Sequence, residues 1–364
     1  VIPSPRKPFG HYTFFVSKAK TGKSLRRKVT QFLLGVGFLL VLLLPGVLIG
    51  VFLVSGAASI LLFGALPVAV AYFGGATSAT PRIIAVMVVS GTLARVFDQS
   101  PILSALLVAV VAFLIGISAR RGLSSPILFV GISLAFLVIN PPKLGQSGQQ
   151  VFDNLDPVLV TALLLLIGGL WARLMIASIR KWIPATPETS PRSMKILVPY
   201  GLALGISTGL STYFLMTYAP GGVGAWLILT IFVVYKPDPD KRRARTRDRV
   251  IGTIGGGIAA FIVLEILEAF DWQQGLAQLL LALLFLGVSM TYFIPGPYWK
   301  YVFFLTPGVV LLDSNAVSDQ TNIDLLRVVY TLIGVAIALI SGLVVQLVVQ
   351  TIYGKKATTP DQSH

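Results

Sequence analysis

The chain contains no cysteine. Disulfides, thiolate metal sites and cysteine nucleophiles are excluded at once. Histidine is nearly missing too. The two present, His11 and His364, lie near the ends, so no histidine relay runs through the apolar body of the chain. Charge is scarce: Asp, Glu, Lys and Arg make up 12% of the residues, about half of the ~25% usual in a soluble domain. Acids are scarcer than bases, 14 against 29, and no acidic cluster has the spacing of a metal site. No complete phosphate loop, with its leading glycine ahead of Gly-Lys-Ser/Thr, is present, which argues against ATP hydrolysis by this chain. No enzyme class fits these absences, and no cofactor is expected.

Long apolar runs fill the space left over. Of the 364 residues 55% are hydrophobic, and the mean hydropathy is +0.84. The runs are continuous rather than alternating, so they read as helices in a bilayer and not as barrel strands. Twelve candidate spans follow: 30–53, 57–73, 82–97, 101–118, 126–140, 156–178, 195–213, 222–236, 249–267, 273–290, 298–312 and 324–350. The first lacks the short apolar core and small-residue cleavage site of a signal peptide, so it reads as a retained span. Breakers such as Pro45, Pro67, Gly116, Gly287 and Pro307 are tolerated where neighbouring helices re-satisfy the backbone. The expected fold is all-α and polytopic.

The few charges set an orientation. With both termini inside, 25 of the 29 Lys and Arg fall on the inner side and Lys143 alone on the outer. That asymmetry is the positive-inside pattern. The densest block is Lys236–Arg249, with seven basic residues. It reads as a cytoplasmic loop facing anionic headgroups. No aromatic interleaving or binding motif accompanies it, so nucleic acid is not an expected partner.

An internal repeat emerges when the chain is slid by about 167 residues. Lys28 falls on Lys195, Arg82 on Arg249 and Asp98 on Glu265. "LLLIGG" (164–169) falls on "YTLIGV" (330–335) with a shift of one. Two six-helix units in the same orientation, 30–178 and 195–350, are expected to be related by an axis along the membrane normal. A basic segment (1–29) precedes them, a linker rich in Pro, Ser and Thr (179–194) joins them, and a short tail (351–364) follows.

The glycine-studded run after the basic block, Arg249–Gly257, raises two readings. Gly252 and Gly256 lie on one helix face, where small residues let helices approach closely. Pure packing is one reading; a thin helix lining a path, with Thr253 as its polar group, is the other. Arg327 also has two. A charge at depth in a span is functional by default, and arginine suits bidentate carboxylate capture. Alternatively it snorkels to the interface or pairs with Asp324. Arg95 and Arg173 read as structural, Arg95 being three residues from Asp98. Glu265 could exchange a coupling proton, or be an ordinary hydrated helix end. Tyr213, Phe214, Tyr218, Trp226, Tyr235, Tyr292, Trp299 and Tyr301 read mostly as an interfacial belt. Trp226 and Tyr330 are singled out as groups that could stack on an aromatic substrate.

These stretches resemble the fusaric acid resistance/aromatic acid exporter family. Arg249, Gly252, Thr253 and Gly255 carry the likeness, after the Trp-containing run "GAWLILTIFVVYKP" (224–237). The later run "RVVYTLIG" is similar through Arg327, Thr331 and Gly334, with Tyr330 where the family has an Asp. The resemblance covers about 195–350 well. In the first half Arg82 matches, while Ala85 and Val86 replace the Gly and Thr. No counterpart of the long cytoplasmic domain of larger relatives lies within these residues. The resemblance implies export of aromatic or related carboxylic acids across a bacterial inner membrane, often with a periplasmic membrane-fusion adaptor, and a distant likeness to plant malate channels. The expected partners are the lipid bilayer, a small organic anion, that adaptor and a second copy in a homodimer. Passive anion conduction and a membrane scaffold for envelope assembly are the rival functions.

Overall fold

The computed structural model describes residues 56–144, 156–179, 193–219, 222–236, 238–270, 276–293, 297–313 and 320–353, with Trp272 and scattered positions between 37 and 49. Among them are eleven α-helices: α1 (Ala57–Phe73), α2 (Thr80–Val96), α3 (Pro101–Ser118), α4 (Ser124–Ile139), α5 (Pro157–Ile179), α6 (Met194–Tyr218), α7 (Ala225–Val234), α8 (Pro239–Ala269), α9 (Leu276–Phe293), α10 (Tyr298–Asp313) and α11 (Gln320–Tyr353). No β-strand occurs among the described residues. The expected 1–29 segment, most of the first span and of the 179–194 linker, and most of the 351–364 tail lie outside them.

Six described helical stretches are long and apolar enough to cross a membrane: Thr77–Val96, Pro101–Arg121, Pro157–Ser178, Met194–Tyr218, Asp240–Ala269 and Leu326–Ile352. The protein is an integral membrane protein. Five other apolar helices are shorter, so the apolar runs of the sequence comprise two kinds of helix. Every residue of α4 and α7 is buried or half-buried. A helix that is apolar all round can face protein on every side instead of lipid. The ten residues of α7 span only about 15 Å. Such an end inside a bundle needs its backbone satisfied by protein. Tyr200 of α6 does part of this, its hydroxyl donating to the Tyr235 carbonyl just past α7 at 2.9 Å. The two rings stack with centroids 4.9 Å apart. Tyr235 is 1% exposed; it belongs to the core, not to the interfacial belt. The outer helices α3, α6 and α11 instead expose rows such as Ile102, Leu106 and Val110, or Ile206, Leu210 and Phe214, the faces that meet lipid.

The basic block is not a loop. From Pro239 onward it is the start of α8. Asp238 caps the helix by accepting from the amides of Asp240 and Lys241 at 3.0 and 3.3 Å, and Pro239 occupies the first turn, where its missing N–H costs nothing. No Gly or Pro follows until Gly252, and Arg and Lys are good helix formers. With 31 residues, α8 is about 46 Å long. It exceeds the ~30 Å of hydrocarbon, so its charged turns project beyond the apolar layer.

Small residues set the closest crossings. Gly201, Gly205 and Gly209 on α6 meet Phe113, Ala109 and Ala105 of α3, and a Cβ at Gly205 would sit 2.8 Å from the Ala109 carbonyl oxygen. This contact joins the first half of the chain to the second. A Cβ at Gly168 of α5 would collide with the Leu61 carbonyl of α1. Further along by 166 residues at both partners, a Cβ at Gly334 of α11 would lie 2.6 Å from the Leu227 carbonyl of α7. Ser207 and Ser341 tie α6 to α11 through a 2.6 Å hydrogen bond.

Arg95 donates to the Pro142 carbonyl at 3.2 Å instead of pairing with Asp98, because the loop after α4 brings an acceptor to the end of α2. Arg173 and Arg82 are exposed.

Candidate functional site

Two helices present the same local pattern. On α8, Arg249 is followed four residues later by Thr253; on α11, Arg327 is followed four later by Thr331. Residues four apart share a helix face. The fold turns both faces into one cavity, together with Trp226 of α7 and Thr306 of α10. Gly257, Leu305, Val310 and Val328 complete the wall. The cavity volume is about 20 Å³, room for one water, which needs ~10–15 Å³.

The two arginines are 3% and 6% exposed. Burying an uncompensated charge costs several kcal/mol, so each must be stabilised by its surroundings. Arg327 places its guanidinium carbon 4.0 Å from the centroid of the Trp226 ring, an arrangement that contributes about 2 kcal/mol when desolvated. Trp226 is held in turn by the edge of Phe136 at 5.5 Å, and Phe136 stacks on Phe63 of α1 at 5.9 Å. On α8 the other guanidinium, that of Arg249, lines the same cavity. Its Nε is buried with no hydrogen-bond partner, and so is Thr253 Oγ1, one turn away. Among the described residues no Asp or Glu lines the cavity. The arrangement offers fixed positive charge and hydroxyl groups in a buried setting, where electrostatic attraction for an anion is stronger than in water.

The remaining residues singled out in the sequence divide into three groups. Gly252, Gly255 and Gly256 face α10: a Cβ at Gly256 would sit 2.7 Å from the Phe303 carbonyl oxygen, and one at Gly255 would lie 3.1 Å from the Phe303 ring. They bring α8 close enough to α10 for Thr253 and Thr306 to share one cavity, so packing and lining are two parts of one arrangement. Gly334 does the same for α11 against α7. Tyr330 is half-buried and packs on the main core, beside the cavity but not in its wall. Glu265 is exposed and sixteen residues beyond Arg249, about 24 Å along the helix. The Asp324 side chain, considered as a partner for Arg327, lies outside the described residues.

Two further residues belong to this region, and the sequence marks them only faintly. Thr306 donates to the Val302 carbonyl at 2.9 Å and lines the cavity; a threonine beside Pro307 is its only signal. Arg242 is 8% exposed, with its guanidinium against Gly342 of α11, where a Cβ would collide with it. It lies seven residues before Arg249, two turns back on the same face, and that spacing is legible.

Residues 210–341 match the family model described as fusaric acid resistance protein-like. This stretch is similar to that family. Every residue that lines the cavity falls inside it, as do α7 to α10 and most of α11. The uncharacterized protein slr1298 of Synechocystis sp. is 34% identical over 146 residues, which is 39% of this chain and 18% of that protein. The chain therefore matches less than a fifth of that relative's length. No solved structure matches the chain.

Proposed function

We propose that the protein is a membrane transporter for small organic carboxylates, aromatic acids among them, and that its cargo passes through the cavity between α7, α8, α10 and α11. The observation carrying this reading is the convergence of Arg249 and Arg327 on one cavity, which no carboxylate among the described residues lines. A guanidinium binds a carboxylate through paired N–H donors, and the Trp226 face beside it suits a ring. The family name, with its acid, points the same way. The cavity is too small for an aromatic acid as it stands, so transport requires α8 and α11 to part. The basic start of α8 would raise anion concentration at the inner mouth, which favours export.

Several finer points belong to this reading. The halves 30–178 and 195–350 are taken as parallel repeats, supported by the Gly168–Leu61 and Gly334–Leu227 crossings one repeat apart. The protein would sit in a bacterial inner membrane with both termini inside. A periplasmic adaptor would take the anion onward, and a homodimer would be the assembled form. Export driven by the proton gradient would use Glu265 as the exchanging acid. A passive anion channel is the second reading, favoured by the lack of a carboxylate among the described residues of the cavity wall.

Flux measurements on proteoliposomes test the proposal. Radiolabelled hydroxybenzoate should cross with the wild-type protein, and Arg249→Gln and Arg327→Gln should each lower flux at least about tenfold, the loss of one charge-assisted contact. Equal flux in all three would remove the cavity from the path.

A further inference from the structure

The cavity is smaller than the cargo proposed for it. At about 20 Å³ it takes one water or one ion of similar size, and a ring bearing a carboxylate is several times larger. Yet its wall is built for negative charge. Arg249, 3% exposed, has a buried Nε with no hydrogen-bond partner, and Thr253, 6% exposed, has a buried hydroxyl in the same condition. Both line the cavity. A second guanidinium, that of Arg327, stands in the same wall, and no carboxylate among the described residues does. Water would satisfy the donors but not the charge.

We propose that the closed cavity binds a single small monovalent inorganic anion, of halide size, on Arg249 and Thr253, and that an organic carboxylate displaces it when α8 and α11 part. This rests on reading the cavity as the anion site of the transporter. The chemistry follows from the lining. A compact ion without directional demands accepts from the Arg249 Nε–H and the Thr253 hydroxyl, and it offsets the guanidinium charge that the protein leaves uncompensated at that position. An ion of this kind would keep the closed state stable between transport events. It would also make the organic anion an exchanger with the resident ion at the same arginine.

Equilibrium measurements on the purified full chain in detergent test this without transport. Sodium chloride is titrated against sodium methanesulfonate at constant ionic strength while the melting temperature is followed. Iodide quenching of tryptophan fluorescence is followed in parallel, since Trp226 lines the same cavity. The expected result is a saturable rise in melting temperature with chloride. A saturable part of the iodide quenching should vanish in Trp226→Phe. Arg249→Gln should remove both effects, and Thr253→Val should weaken apparent halide affinity about threefold to tenfold, the loss of one hydrogen bond. Added hydroxybenzoate should compete with iodide. A linear, unsaturable response identical in wild type and Arg249→Gln overturns the proposal, and the wild-type titration decides this even if a variant does not fold. If hydroxybenzoate shifts the melting curve and chloride does not, the inorganic-ion site falls while the carboxylate transporter stands. If chloride binds through Arg249 and hydroxybenzoate neither competes nor is carried in liposomes, the ion site stands and the organic cargo falls.

Discussion

The Arg327 guanidinium lies against the face of Trp226, 4.0 Å from the ring centroid. These residues come from α11 and α7, 101 positions apart in the chain, and their contact links the cavity wall to the buried short helix. Replacing the ring tests it. Trp226→Phe keeps a π-face and should retain most flux, while Trp226→Ala should lower hydroxybenzoate flux about thirtyfold, in line with about 2 kcal/mol for a desolvated cation–π pair. Equal flux in the two variants would show that the ring only fills space.

Arg249 and Thr253 act from one face of α8. Arg249→Lys keeps the charge and loses the planar donor set, so flux should fall less than in Arg249→Gln but remain well below wild type. Thr253→Val, nearly isosteric, should cost about threefold to tenfold. Initial rates of hydroxybenzoate uptake into liposomes check both. A Lys variant as active as wild type would mean that only charge matters at this position.

Glu265 separates the two energetic modes. It is exposed, on the part of α8 beyond the cavity. As the exchanging acid it is required for coupling, so Glu265→Gln should abolish hydroxybenzoate flux driven by a pH gradient while counterflow stays within about twofold of wild type. Unchanged gradient-driven flux would rule that role out and favour the passive channel.

The glycine crossings predict stability rather than transport. Gly256→Val and Gly334→Val each push a side chain into a neighbouring backbone carbonyl and should destabilise the fold by about 1–3 kcal/mol. Gly37→Ala meets nothing within 4 Å and should melt as wild type does. Thermal melts in detergent read all three. A normal melt for Gly334→Val would mean that α7 and α11 can separate at little cost.

The natural absence of cysteine makes orientation directly testable. Single replacements Lys241→Cys and Gln99→Cys introduce one thiol each, on the basic start of α8 and in the turn after α2. With the termini inside, a membrane-impermeant maleimide added to intact cells should label Gln99→Cys and spare Lys241→Cys. The opposite pattern inverts the proposed direction of transport.

Much of the site is readable in the sequence because its helices carry their signals locally. Arg249 and Thr253, like Arg327 and Thr331, sit four apart, and the helical repeat alone puts each pair on one face. The all-α membrane class follows from the apolar runs, which permit few other solutions in lipid. The helical state of the basic block does not follow from its charge density, which reveals only exposure; its sequence signals are Asp238 and Pro239 at the start and a run free of Gly and Pro up to Gly252. Nor are the short buried helices α4 and α7 distinguishable from lipid-facing spans, because hydropathy measures apolarity, and protein neighbours are as apolar as lipid.

The sequence by itself determined that this protein lives in a membrane as helices, which way its basic side faces as an expectation, and which residues share a helix face. Each of these depends on composition or on a few consecutive turns. Tertiary structure decided the rest. It placed Arg249, Arg327, Thr306 and Trp226 around one cavity, turned Glu265 away from it, and buried Tyr235 and Arg242. Those outcomes depend on how closely helices cross, and the crossings are set by contacts such as Gly256 against Phe303 and Gly334 against Leu227, between residues far apart in the chain whose meeting no local pattern encodes.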